Sequence, residues 1–167
     1  VNYRATYDHS WAVIIGIDQY QAMPPLSYAV SDARAVAELL ATNYGFDPAH
    51  MLVLENAAAT QDAIRAVIDE RLTNPNEVGK DDRVLFFFAG HGVTRHGQRG
   101  DVGYIAPVDA QPGAWRTLIG MDDIVRAAEF IPAKHIFFIM DACYSGLALL
   151  RLSLIHISEP TRLLSIS

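Results

Sequence analysis

The chain has one cysteine, Cys143, in 167 residues. A single cysteine closes no internal disulfide. Without a CxxC pair there is neither a dithiol redox centre nor a cysteine zinc site. A reducing cytoplasm is the expected compartment. No apolar run reaches the roughly 18 residues of a membrane-spanning helix, and from the polar start "VNYRATYDHS" no signal peptide is expected. No GxxxxGK[ST] phosphate loop occurs, which disfavours a phosphoryl-handling domain. Positive charge is scarce and scattered. Thirteen Lys and Arg stand against nineteen Asp and Glu, for a net charge of −6, and this argues against a nucleic-acid partner. Charged residues make up only 19%, too few for a disordered polyampholyte.

Hydrophobic residues are plentiful, at 51% of the chain, enough for one domain with a real core. Trp11–Asp18, "WAVIIGID", reads as a buried strand. After a loop broken by Pro24-Pro25, a helix capped by Ser31 or Asp32 is expected to run to about Tyr44. Its apolar face is Ala33, Val36, Ala37 and Leu40, and Gly45 is its stop. Met51–Leu54 reads as a short strand. Thr60 caps a second helix facing inward with Ile64, Val67, Ile68 and Leu72. Arg83–Ala89, "RVLFFFA", is a third buried strand. The glycine-rich stretch 92–103 is expected to be a mobile loop, followed by a short strand or hairpin arm at Tyr104–Val108. A third helix opens at Met121 or Asp122, and Ile136–Met140 is the last strand before the cysteine. This alternation predicts an α/β sandwich with a mostly parallel sheet. In such sheets ligands sit at the carboxyl ends of the strands. Those ends carry Asp18, His91, Asp141 and Cys143.

"FFFAGHGV" and "FFIMDACYSG" share one layout, an apolar strand ending in small residues around one reactive side chain. His91 precedes Cys143 by 52 residues. If their strands are neighbours, both emerge at the same edge. A free thiol has a pKa of about 8.5, so an imidazole is needed to take its proton and later to protonate a leaving amine. Backbone amides of Gly92 and Cys143 are candidate donors to an oxyanion. Each residue has a plainer reading: a buried small hydrophobe for the cysteine, an exposed or structural side chain for the histidine. Other cysteine chemistries fail. A phosphatase loop needs Arg six residues after the cysteine, where Leu149 stands, and a thioredoxin-like site needs a second cysteine.

The segments "VIIGIDQY", "LSYAVSDA", "VLFFFAGHG", "GYIAPVDA", "MDDI" and "FFIMDACYSG" occur in the order found in the caspase/metacaspase superfamily of cysteine peptidases (peptidase C14), and the resemblance covers about residues 10 to 150. The caspase signature has Gln-Ala-Cys. Asp141 stands in place of that Gln, so the chain is closer to metacaspases and bacterial orthocaspases. The resemblance implies a caspase-like three-layer αβα sandwich, incomplete on its C-terminal side. It implies a His91–Cys143 dyad with no required third member, and a primary specificity pocket whose acidic residues, Asp32 and Asp141, select Arg or Lys before the scissile bond. Paired carboxylates suit a guanidinium. The stretch before Arg34 offers no arginine for an aspartate-binding pocket. The plainer readings are a helix cap for Asp32 and a strand-end turn for Asp141. The alternative function is a catalytically inactive caspase-like module for regulation or assembly.

Two departures concern the pocket: Ala89 and Ala29 stand where many metacaspases have Ser and Cys. No cofactor is expected to be required. Calcium activates some members, and Asp122-Asp123 fall at the matching place, with Asp101 and Asp109 as weaker candidates; the plainer reading of the pair is an acidic helix start. The expected partners are protein or peptide substrates with Arg or Lys before the cleaved bond, plus further domains of a longer chain. "LSLIHISEPTR", Leu152–Arg162, resembles a translated sequencing adapter. The expected division is therefore a catalytic domain over 1–150 and a non-native tail over 151–167, the alternative being a natural amphipathic tail. The chain as it stands is expected to be weakly active or inactive.

Overall fold

The computed structural model describes residues 6–144; the expected boundary at 150 and the tail 151–167 lie outside the described residues. Strand β1 spans Ser10–Gly16, β2 Met51–Glu55, β3 Arg83–Gly97, β4 Gly100–Ile105, β5 Ile119–Gly120 and β6 His135–Tyr144. Helix α1 spans Ala29–Asn43, α2 Gln61–Arg65 (continued by a π-helical segment over Ala66–Arg71) and α3 Met121–Ala128. Strands β2, β1, β3, β4 and β5 follow one another across the sheet, and β6 lies along β3. β1, β2, β3 and β6 run parallel where they pair, while β4 pairs antiparallel with β3 and β5. This is the expected α/β sandwich.

Period-two alternation feeds a separate core on each face of the sheet. On one face Ala12, Ile14, Phe87 and Ala89 pack with Ala33 and Leu40 of α1. On the other, Val13, Ile15, Phe86 and Phe88 pack with Ile64 of α2 and Ile124 and Ala128 of α3. The runs "WAVIIG" and "VLFFFA" are apolar without a break because both faces are covered.

Three local expectations compare with the structure as follows. Thr60 caps α2 as read, accepting the Ala63 N–H at 3.2 Å. The cap of α1 is different. The helix starts at Ala29, and Ser31 and Asp32 lie inside its first turn. The capping carboxylate is Asp18, just beyond the end of β1, which accepts the N–H groups of Ala29 at 2.8 Å and Val30 at 3.2 Å. Such a cap leaves no mark in the local sequence. The second difference is the stretch 92–103, which is a β-hairpin and not a loop. β3 continues to Gly97 and returns as β4 from Gly100, with Val93 opposite Tyr104. The glycines mark the reversal rather than mobility: Gly100 has φ +128°, a conformation that favours glycine.

β1 and α1 approach so closely at Gly16 that a β-carbon there would stand 2.7 Å from both the Ala29 carbonyl oxygen and the Ala33 Cβ. Gly16→Ala must push α1 off the sheet. We expect a loss of about 1–3 kcal/mol, the usual cost of overpacking, read as a lower midpoint in urea denaturation. An unchanged midpoint would show that α1 is free to slide.

Candidate active site

β3 and β6 are adjacent, and their parallel register runs unbroken from Arg83↔His135 to Gly92↔Tyr144. Within it His91 is the partner of Cys143, and Ala89 of Asp141. Neighbouring strands lie about 4.8 Å apart, so the two reactive positions are side by side at the carboxyl end of the sheet. The apolar run of each strand brings them there. Equal pairing over ten residues turns a separation of 52 in sequence into one strand spacing.

The His91 ring is held by the segment between β1 and α1. Its Nε2 lies 2.8 Å from the carbonyl oxygen of Pro24. A carbonyl only accepts, so Nε2 carries the proton of the neutral ring and Nδ1 is its acceptor nitrogen. Tyr20 packs against the same ring, with centroids 4.8 Å apart. Its hydroxyl accepts the His91 backbone N–H at 2.8 Å and donates to the Ala106 carbonyl at 3.2 Å. Burial, reinforced by the nearby Asp18 carboxylate and opposed by the His91 hydrogen bond, pushes the Tyr20 phenol up to about 12. It therefore stays neutral and can accept and donate at once. The segment is itself tied down: Leu26 N–H bonds the Asp18 carbonyl and Gln21 N–H the Val108 carbonyl, while the Asn56 side-chain carbonyl accepts from Asp18 and Gln19 N–H. Tyr20, Pro24 and Asp18 are the residues that sequence reasoning did not assign. Tyr20 ends the segment "VIIGIDQY", yet nothing in its local pattern marks a contact to a residue 71 positions away.

Backbone alternation points the Ala89 and His91 carbonyls to the β1/β4 edge of β3, where they accept from Ile17 and Ala106. The amide of Gly92 then faces β6. Gly92 is buried, flanked by Ile105 of β4 and Tyr144 of β6, so its N–H lies in the same seam as position 143.

Asp32 is exposed in the first turn of α1. Asp141 is exposed two residues beyond Ile139, which packs into the α1-side core. Both carboxylates thus belong to the α1 side of the sheet near its carboxyl edge. Arg34 is committed elsewhere, since its guanidinium donates to both oxygens of Glu55 at 2.8 and 2.6 Å. That contact holds the Glu55 carboxyl below its usual range.

The expected calcium ligands do not come together. Asp123 faces Arg65 at 3.7 Å, and Asp122 is exposed beside it at the start of α3. Asp101 bonds His96 at 2.9 Å, and Asp109 accepts the Gln61 N–H at 2.9 Å. Among the described residues no three side chains of His, Cys, Asp or Glu gather where they could hold a metal ion. Asp123 thus serves an ion pair and Asp109 a backbone contact.

Comparison with known proteins adds the decisive observation: the family model of the caspase domain matches residues 9–156. The chain belongs to the caspase-domain family of peptidases. It is 28% identical over 150 residues to a probable protease of a Desulfuromonadales bacterium, covering 80% of this chain and 18% of that protein. It is 26% identical over 147 residues to metacaspase-1 of Schizosaccharomyces pombe, covering 83% of this chain and 34% of that one. Among solved structures, a protein from Geobacter sulfurreducens matches with a TM-score of 0.65 at 18% identity, over 83% of this chain and 52% of that one. The structure of pro-sf-caspase-1 matches with a TM-score of 0.59 at 17% identity, over 96% and 56%. The caspase-domain chain thus spans from under a fifth to a third of the curated relatives and about half of the structural ones.

Proposed function

We propose that the caspase-domain protein is a cysteine endopeptidase that cuts after Arg or Lys, with His91 and Cys143 as its dyad. The register that pairs these two residues is the observation that carries the reading. In the proposed reaction, Nδ1 of His91 takes the Cys143 thiol proton, and the Pro24 carbonyl supports the resulting imidazolium through Nε2–H. The thiolate attacks the scissile carbonyl carbon, and the electron pair moves to oxygen. Nδ1–H then protonates the departing amine, the C–N bond breaks and a thioester remains. Water, deprotonated by Nδ1, hydrolyses the thioester and restores the thiol. The amides of Gly92 and Cys143 are the proposed donors to the oxyanion. For Gly92 to serve, the final rung opposite Tyr144 opens when substrate enters.

Asp141 and Asp32 are proposed to receive the basic side chain. A guanidinium fits paired carboxylates through charge-assisted bonds, and the one arginine of α1 is occupied by Glu55. The test is a pair of fluorogenic peptides ending in Arg and in Asp, offered to the full-length protein. Cleavage of the Arg peptide alone is expected. Asp141→Ala should lower kcat/KM on it by about a hundredfold, the scale of a lost charged contact, while thiol reactivity is kept. Preference for the Asp peptide, or equal loss on a neutral peptide, would remove the pocket assignment.

A further inference from the structure

The geometry points to Tyr20 as a positioning residue for His91, one that fixes the backbone of the histidine through its hydroxyl and the imidazole through its ring. The inference rests on the dyad reading above. The hydroxyl closes a bridge from His91 N–H to the Ala106 carbonyl, tying β3 to the segment just after β4, on the edge opposite Cys143. The ring stands against the imidazole at 4.8 Å. Gly90 makes the approach feasible: a β-carbon there would lie 2.5 Å from the Tyr20 hydroxyl oxygen. Tyr20 and Pro24 come from one short segment, so backbone, ring plane and protonated nitrogen of His91 are set by a single anchored piece of chain. Without the hydroxyl, the His91 amide loses its acceptor and the ring its fixed plane. The Nε2–H contact to Pro24 then weakens, and Nδ1 is no longer reserved as the base.

The test uses the full-length protein with Tyr20→Phe, which keeps the ring, and His91→Ala as reference. Three quantities are read: kinetics on an Arg peptide, the pH profile of Cys143 alkylation by iodoacetamide located by mass spectrometry, and the His91 tautomer from 15N NMR. Tyr20→Phe should lower kcat about tenfold with KM within about twofold, as a misplaced catalytic group does. It should also move the alkylation profile towards that of His91→Ala and reduce the Nε2–H tautomer. A profile and tautomer matching wild type, alongside a shifted His91→Ala profile, would overturn the role of Tyr20 and leave the dyad standing. An unshifted His91→Ala profile would overturn the dyad and the inference with it. Should Tyr20→Phe not fold, the wild-type protein decides: a predominantly Nδ1–H tautomer, or rapid exchange of the His91 amide proton, would overturn the proposal.

Discussion

Cys143→Ala should reduce cleavage of an Arg peptide by the full-length protein by about 10⁴-fold or more, the scale on which removing a nucleophile acts. The expectation follows from chemistry and register together. No other cysteine exists in these 167 residues, and the position paired with Cys143 is the histidine whose Nε2 is already engaged by Pro24. A serine at 143 would be almost as poor, because an alcohol is far harder to deprotonate than a thiol and His91 supplies only one imidazole. His91→Ala should cost somewhat less, since a residual thiolate remains at alkaline pH, and its activity should climb with pH where the wild type is flat. Cleavage that survives Cys143→Ala would place the nucleophile elsewhere. A wild-type protein inert both to substrate and to a thiol-reactive Arg-peptide inhibitor would instead favour the regulatory or assembly role.

The largest effect on stability should come from Asp82, at the opposite end of the strands. Its carboxylate is buried at 1% exposure and accepts four hydrogen bonds: His9 N–H at 2.9 Å, His9 Nδ1 at 3.2 Å, Trp11 Nε1 at 3.1 Å and Gly79 N–H at 2.8 Å. These bonds join the entry to β1, the turn before β3 and the edge of the larger core. Asp82→Ala leaves the donors facing a void, and we expect a loss of about 3 kcal/mol, measured by urea denaturation at pH 7. Burial pushes the Asp82 carboxyl up, but the bonds from Gly79, Trp11 and His9 outweigh it and hold the group below its ordinary value. A depressed folded-state value makes the contribution full above the unfolded pKa of about 4. It fades as the pH falls through the lower folded value. The gap between wild type and Asp82→Ala should therefore be constant from neutral pH down to about 4 and narrow below it. A gap that widened on acidification would contradict the sign.

Where structure was legible in the sequence, the interaction was local. Thr60 caps the helix that begins one residue later, and a hydroxyl three positions from a free amide needs only its neighbours. The strands of "WAVIIG" and "VLFFFA" were readable because covering both faces of a parallel sheet demands an unbroken apolar run. Asp18 was visible as a strand-end carboxylate, but its role as the cap of α1 was not, because the ten residues between them had first to fold back. The hairpin strands within 92–103 are not legible for a related reason. These polar and glycine-rich arms carry little alternation, and pairing across the chain, not composition, makes them strands.

The same division holds at the site. The sequence by itself determined the chemistry on offer: one thiol, one glycine-flanked imidazole, and carboxylates at Asp32 and Asp141, each at or near a strand or helix end. Side-chain identity suffices for that, since pKa, nucleophilicity and charge belong to the residue. Only the tertiary structure decided that positions 91 and 143 share a rung, that Pro24 fixes the protonated nitrogen, that Tyr20 holds the histidine, and that Asp123 faces Arg65. Those are distances between residues far apart in the chain. Strand register and a folded connecting segment set them, and neither is written in any local run of residues.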